Sequence, residues 1–208
     1  MTSVRKSWKC GLAVSVLQVM LVAQSTPSGS PPAPNRSAGH AYFSDVVLLD
    51  QNGKQQRLYS DLLQGKIVII NSFFAACKDS CPVMARNFAR IQESLGDRLG
   101  KDVYLLSFTV DPETDTPERL RVYAQQMKAK PGWFFLTGTK ENVNFALGKL
   151  GLYSEEKQNH LTMFIIGNEP TGLWKKTQGT AAADDLIHIV QTVLDDRLSS
   201  ALDSPVNH

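Results

Sequence analysis

The apolar positions of the chain fall into two periods, and the alternation between them lays out the elements. Lys66 to Phe74 is a nearly unbroken apolar run with β-branched Ile67, Val68, Ile69 and Ile70, which predicts a strand over 67–74 buried on both faces in a parallel sheet. Met84, Phe88, Ile91 and Leu95 then recur at helical spacing and predict a helix over about 82–96. Val103 to Val110 is a second apolar strand, so 67–110 reads as a βαβ unit. Leu120, Tyr123, Ala124 and Met127 stripe a helix over 116–128, opened by Thr116-Pro117-Glu118 and broken at Lys130-Pro131-Gly132. Trp133 to Leu136 follows as a short strand, and Val143, Ala146, Leu147 and Leu150 stripe a helix over 140–150. Leu161 to Ile166 predicts a strand, Asn168 to Gly172 a turn, and Leu173 to Lys175 an antiparallel return. A last helix over about 182–198 turns Leu186, Ile189, Val190 and Val193 inward. Ahead of all these, Val46–Leu49 and Gln56–Tyr59 flank Asn52-Gly53, a strong signal for a tight hairpin. A leading hairpin and then βαβαβαββα predicts an α/β domain with a mixed sheet flanked by helices.

The first 41 residues follow neither period. Arg5, Lys6 and Lys9 precede the apolar run Gly11 to Ala23, and small Ala23 and Ser25 stand where a signal peptidase would read them. Residues 1–25 therefore predict export, with the segment either cleaved or kept as an N-terminal membrane anchor; its apolar run is short against the roughly 20 residues of a spanning helix. Residues 26–41, rich in Pro, Ser and Gly, read as a disordered linker, 42–198 as the folded domain, and 199–208 as a C-terminal tail.

Charge excludes one class of function. The net charge of +2 comes with no basic stripe and no acidic run, which argues against a nucleic-acid partner. Losing the three cations of the leader lowers it by three, to −1.

The chain has three cysteines, and Cys10 would leave with a cleaved leader. Cys77 and Cys81 remain, where the strand at 67–74 hands over to a helix that Asp79 or Ser80 can cap. A helix start favours a thiolate, and residues four apart on one turn face the same way, so both sulfurs can meet one soft ion or each other. In an oxidising compartment so short a loop gives little structural gain, which points to redox or metal chemistry. At about 6 Å between Cα atoms, helical i and i+4 cysteines lie near the upper part of the bridgeable range, so a reversible disulfide is expected. Two thiolates leave a metal underligated. Of His40, His160, His188 and His208, His160 stands at a loop-to-strand junction that this topology brings to the cysteine end of the fold.

Three motifs in order carry a resemblance. Cys77-Lys78-Asp79-Ser80-Cys81-Pro82, Asp111-Pro112-Glu113-Thr114-Asp115-Thr116-Pro117, and His160 opening a late strand resemble the Sco/SenC family of copper-binding, thioredoxin-like proteins. The resemblance runs over roughly 42–197. It implies a thioredoxin-like fold, Cys77, Cys81 and His160 as ligands of Cu(I) or Cu(II), and Cys77 and Cys81 as a redox-active pair. It also implies a role in assembling the copper site of cytochrome c oxidase, by copper transfer, thiol reduction or both. The expected partner is the copper subunit of the oxidase or another exported thiol client, met in the periplasm or at the inner membrane. Two thiolates and an imidazole suit Cu(I) on chemical grounds too. Asp111 and Asp115 would shape the site or face a partner, with helix capping the alternative for Asp115. Asn159 stands where the family often has an aspartate that would orient the imidazole. The competing reading is a thiol–disulfide oxidoreductase, in which one thiolate attacks a client disulfide and the other resolves it. The 159–162 stretch, Asn-His-Leu-Thr, lacks the proline such enzymes place there and offers a ligand instead.

Overall fold

The computed structural model describes residues 36–77, 81–156 and 159–202, and side chains within 38–77, 81–156 and 159–196. The expected leader, most of the expected linker, Lys78, the capping pair Asp79 and Ser80, His208 and the last residues of the expected tail lie outside the described residues. A helix α1 (Arg36–Phe43) comes first, spanning the end of the stretch read as a disordered linker and the start of the expected domain. Strands β1 (Val47–Leu49) and β2 (Gln55–Arg57) form the expected antiparallel hairpin.

Its turn differs from the tight two-residue form. Only Gly53 adopts a left-handed conformation, at φ 77°, so the turn rests on glycine alone. Buried Asp50 organises it, its carboxylate accepting from Asn52 N at 2.8 Å, Lys54 N at 3.1 Å and Gln56 Nε2 at 3.0 Å. Leu58 and Tyr59, read from the sequence as strand, instead start a π-helical turn over Leu58–Leu63 that buries Leu58, Tyr59, Leu62 and Leu63.

The body is the predicted alternation. Strand β3 (Ile67–Phe73) leads to α2 (Cys81–Leu95), β4 (Val103–Thr109), α3 (Pro117–Gln126), β5 (Trp133–Leu136) and α4 (Lys140–Leu150). Strands β6 (Met163–Asn168) and β7 (Leu173–Gln178) and helix α5 (Ala183–Leu202) complete it. The five-stranded sheet runs β5-β4-β3-β6-β7. Strand β3 pairs parallel with β4 (Ile67↔Val103) and antiparallel with β6 (Asn71↔Phe164). Every residue of β3 is buried, which is why its sequence reads as a continuous apolar run. This is a thioredoxin-like mixed sheet with helices on both faces.

Alternation along β3 divides the core. Ile67, Ile69 and Phe73 join Met84, Phe88, Leu120 and Leu186 from α2, α3 and α5. Val68 and Ile70 face the π-turn and Val143, Ala146 and Leu147 of α4. Each fully buried aliphatic or aromatic side chain contributes about 1.5–3 kcal/mol.

Both sheet edges are managed. On β5, Gln51 reaches in as a substitute strand residue, its Nε2 donating to Trp133 O at 3.1 Å and its Oε1 accepting from Phe135 N at 3.0 Å. Leu49 and Thr137 exchange backbone bonds one step further along. At the other edge, β7 carries Lys175 and Lys176.

Candidate metal centre

In sheets of this kind, ligands bind where parallel strands end and loops begin. Strand β3 ends at Phe73, and a turn closed by Cys77 N donating to Phe74 O (3.1 Å) places Cys77, half-buried, at that end. Cys81 opens α2 and is buried. Contrary to the expectation from spacing, the two cysteines do not share one helical turn: Cys77 precedes α2, which begins at Cys81.

His160 arrives by topology. Because β6 runs antiparallel to β3, the start of β6 lies beside the carboxyl end of β3. Ser72 Oγ donates to Leu161 O (3.2 Å) and pins the incoming loop there. Strand β6 begins at Met163, two residues later than the apolar pattern predicts, so His160 sits in a loop. The imidazole is buried, edge-on to Phe74 with centroids 5.6 Å apart. Its Nε2 lies 3.2 Å from Cys81 Sγ. One ligand atom each of Cys77, Cys81 and His160 fall within 4.8 Å of one another, the one such group of three among the described residues. Exposed His188 and His40, which meets Asp45 at 3.2 Å, stand apart from it.

The electrostatics depart from the helix-start expectation. Burial pushes the Cys81 thiol up to about 12, the hydrogen-bonded Cys77 side chain adds to this, and a backbone hydrogen bond from Phe74 offsets part of it. Desolvation outweighs the helix terminus here, so Cys81 holds its proton at neutral pH. Both cysteines are free thiols.

Of the two readings of Asp115, shaping the site and capping the helix, the structure favours the first. Thr116 is the N-cap of α3, accepting from Arg119 N, so Asp115 is not the cap. Its buried Oδ2 accepts from Ala75 N at 3.0 Å and from Thr109 Oγ1 at 2.6 Å. Thr109 Oγ1 in turn accepts from Asp111 N (3.0 Å), and Asp111 O accepts from Asp115 N (2.8 Å). The loop after β4 is thus bolted to the turn that carries Cys77. Burial raises the Asp115 carboxyl above its ordinary value, against the two hydrogen bonds and Arg119, which lower it. Asn159 turns its amide to Glu156 Oε2 (3.1 Å). Phe74 and Thr109 escaped the sequence reading, although Thr109 stands two residues before the Asp111 motif.

Two thiols and an imidazole converging at the carboxyl end of a thioredoxin-like sheet form the kind of site that could hold a soft metal ion or exchange disulfides. Comparison with known proteins gives the family. The SCO1/SenC family model matches residues 35–195, and the chain belongs to this family. The SCO1 protein homolog of Bacillus subtilis is 33% identical over 94 residues, 45% of this chain and 47% of its own length. The chain spans about half the length of the curated relatives it matches, 50% and 47% in two of them. BsSco, a Sco-family cytochrome c oxidase assembly protein whose structure accompanied identification of a disulfide switch, superposes with TM-score 0.59 at 27% identity, over 71% of this chain and 90% of that one. Copper-bound ScoI of Arabidopsis thaliana shares the fold, with TM-score 0.60 at 23% identity over 72% and 96%.

Proposed function

We propose that this chain is an exported copper-binding metallochaperone that assists assembly of the copper site of cytochrome c oxidase. The observation that carries it is the convergence of Cys77, Cys81 and His160 within 4.8 Å, a donor set suited to Cu(I). Membership of a family that includes a cytochrome c oxidase assembly protein supports the client. The leader read in residues 1–25 supports action in the periplasm or at the outer face of the inner membrane, or at the mitochondrial inner membrane in a eukaryote. Among the described residues no helix is long and apolar enough to cross a membrane.

The three donors have unequal tasks. Cys81 and His160 are buried and form the fixed half of the site, with the Cys81 proton leaving as copper enters. Cys77, half-buried on a turn, is the donor an incoming client thiol can reach. Copper is cargo: the client sulfur bonds before Cys77 lets go, so the ion is never free. The same pair supports thiol reduction. One thiolate attacks a client disulfide to form a mixed disulfide, and the second displaces the client thiol; two electrons and two protons pass to the client, leaving a Cys77–Cys81 disulfide.

Cu(I) titration of the reduced protein tests this, with one copper per chain expected. Cys77→Ser, Cys81→Ser and His160→Ala should each weaken it by at least about tenfold, since even groups that only support a ligand change affinity by about 10–100-fold. Unchanged affinity in His160→Ala removes the histidine from the site. A deletion strain should lose oxidase activity under copper limitation and regain part of it with added copper. Normal oxidase with a thiol-reduction defect in another exported protein moves the assignment to the oxidoreductase.

A further inference from the structure

The sheet face that packs α4, opposite the one that packs α2, carries a cleft of about 450 Å³ that the metal centre does not use. Ile165 and Trp174 line it from β6 and β7, Tyr42 and Phe43 from α1, and Lys149 and the residues around it from the end of α4, with Lys176 beside them. Its shape follows from the sequence. Residues 174 and 176 share a face of β7, and the register sets Trp174 opposite Gly167 and Lys176 opposite Ile165. Gly167 leaves room for the indole to lie across its strand: a Cβ there would meet the Trp174 ring at 2.2 Å. Phe43 packs against that ring at 5.8 Å. Tyr42 Oη donates to Lys149 O (3.1 Å), which ties α1 to the end of α4.

The lining is apolar and aromatic, yet it carries two cations and no carboxylate. Lys149 Nζ lies 4.8 Å from the Tyr42 ring centre and 5.3 Å from that of Phe145. Neither Lys149 nor Lys176 belongs to an ion pair among the described residues. The volume lies within the roughly 300–1,000 Å³ of small-molecule sites. Flat rings on the walls select a ring system, and the unpaired lysines select an anion. The carbonyls at the carboxyl end of α4 oppose negative charge, so Lys149 and Lys176 can balance a single anionic group there but not a polyanion such as a nucleotide. We propose that the cleft binds a small aromatic monoanion, a ring system bearing one carboxylate or sulfonate.

The test is a titration of the full-length protein with 2-naphthoate, followed by amide and indole NMR shifts, against the neutral isostere 2-naphthamide. Saturable one-site shifts are expected at Phe43, Gly151 and the Trp174 indole, with naphthoate binding at least about fivefold tighter than naphthamide. Lys149→Gln/Lys176→Gln should bring naphthoate down to the naphthamide level while leaving Cu(I) stoichiometry unchanged. Shifts that do not saturate, equal affinity for the two probes, or a preference kept by the double variant each overturn the proposal. Cu(I) titration of the same samples separates this from the chaperone reading, since loss of copper binding with the cleft intact counts against the metal centre alone.

Discussion

The two faces of the central sheet are packed by different means. One is covered by α2, α3 and α5 and holds a ring cluster in which Phe88 lies 4.6 Å from Phe164 and 5.6 Å from Trp133. The other is covered by α4 and the π-turn, and short α1 closes over its β6–β7 end. The fully helical face can fix ligand-bearing side chains such as Cys81. The thinner face leaves room for the cleft. Rigid placement and open volume are thus assigned to opposite sides of one sheet.

Mutations can break or sharpen that contrast. Phe88→Ala should have the largest effect, about 3–5 kcal/mol of stability by urea denaturation, because its neighbours come from two strands and cannot collapse into the gap. A loss under about 1 kcal/mol would show that the helical face is not rigidly packed. Gly167→Ala should cost about 1–3 kcal/mol through overpacking and should change Trp174 emission as the ring is displaced. Unchanged emission would mean that α1 and β7 yield without moving the indole.

Asp115→Ala should cost about 1 kcal/mol, the low end for an orphaned backbone donor, since it also removes a desolvated carboxyl. Its pH dependence has a definite sign. A raised folded pKa means that the folded state holds the proton more tightly, so the contribution is full below the ordinary aspartate value. It is lost as pH rises from there through the raised value. Asp115→Asn should flatten the stability profile across that window, measured by thermal melts from acid to neutral pH; an unchanged slope would mean that the carboxyl titrates normally.

Asp61 should give the smallest effect, with the opposite sign. Its hydrogen bonds with Arg57 hold it down to about 2, so its contribution is present above the ordinary aspartate value and lost as pH falls toward about 2. The pair is solvent-screened, and Asp61→Asn should remove only that shallow acid-side slope in the same melts.

The order of elements from β3 to α5 was legible because each hides a stripe or a run with one dominant period. That Cys77, Cys81 and His160 meet at one end of the sheet was legible as well, the cysteines from the strand end and His160 from the direction of β6. What local pattern could not convey is what neighbours do. Helix α1 has little propensity of its own; Gly39 lies so close that a Cβ would meet Tyr59 at 2.7 Å, and Phe43 reaches Tyr59 and Trp174. Strand β7 runs to Gln178, three residues past the predicted end at Lys175, because its later residues face solvent on alternate positions. The helix-start rule mispredicted Cys81 because depth of burial is a tertiary property. For Asp115 the sequence left capping and site-shaping both open, because the partner that decides between them, Ala75, lies 40 residues away.

The side-chain amide of Gln51 has a consequence for crowded conditions. An open five-stranded sheet offers two rows of unsatisfied peptide groups to any passing strand, and such rows template fibres. On β5, one glutamine and one reciprocal bridge occupy Trp133 O, Phe135 N and both groups of Thr137. On β7, paired lysines make a second strand electrostatically unwelcome. Both edges thereby discourage copies of this domain from stacking edge to edge, and Gln51→Ala should raise light scattering at high protein concentration; scattering equal to that of the unmodified chain would show that the glutamine does not guard β5.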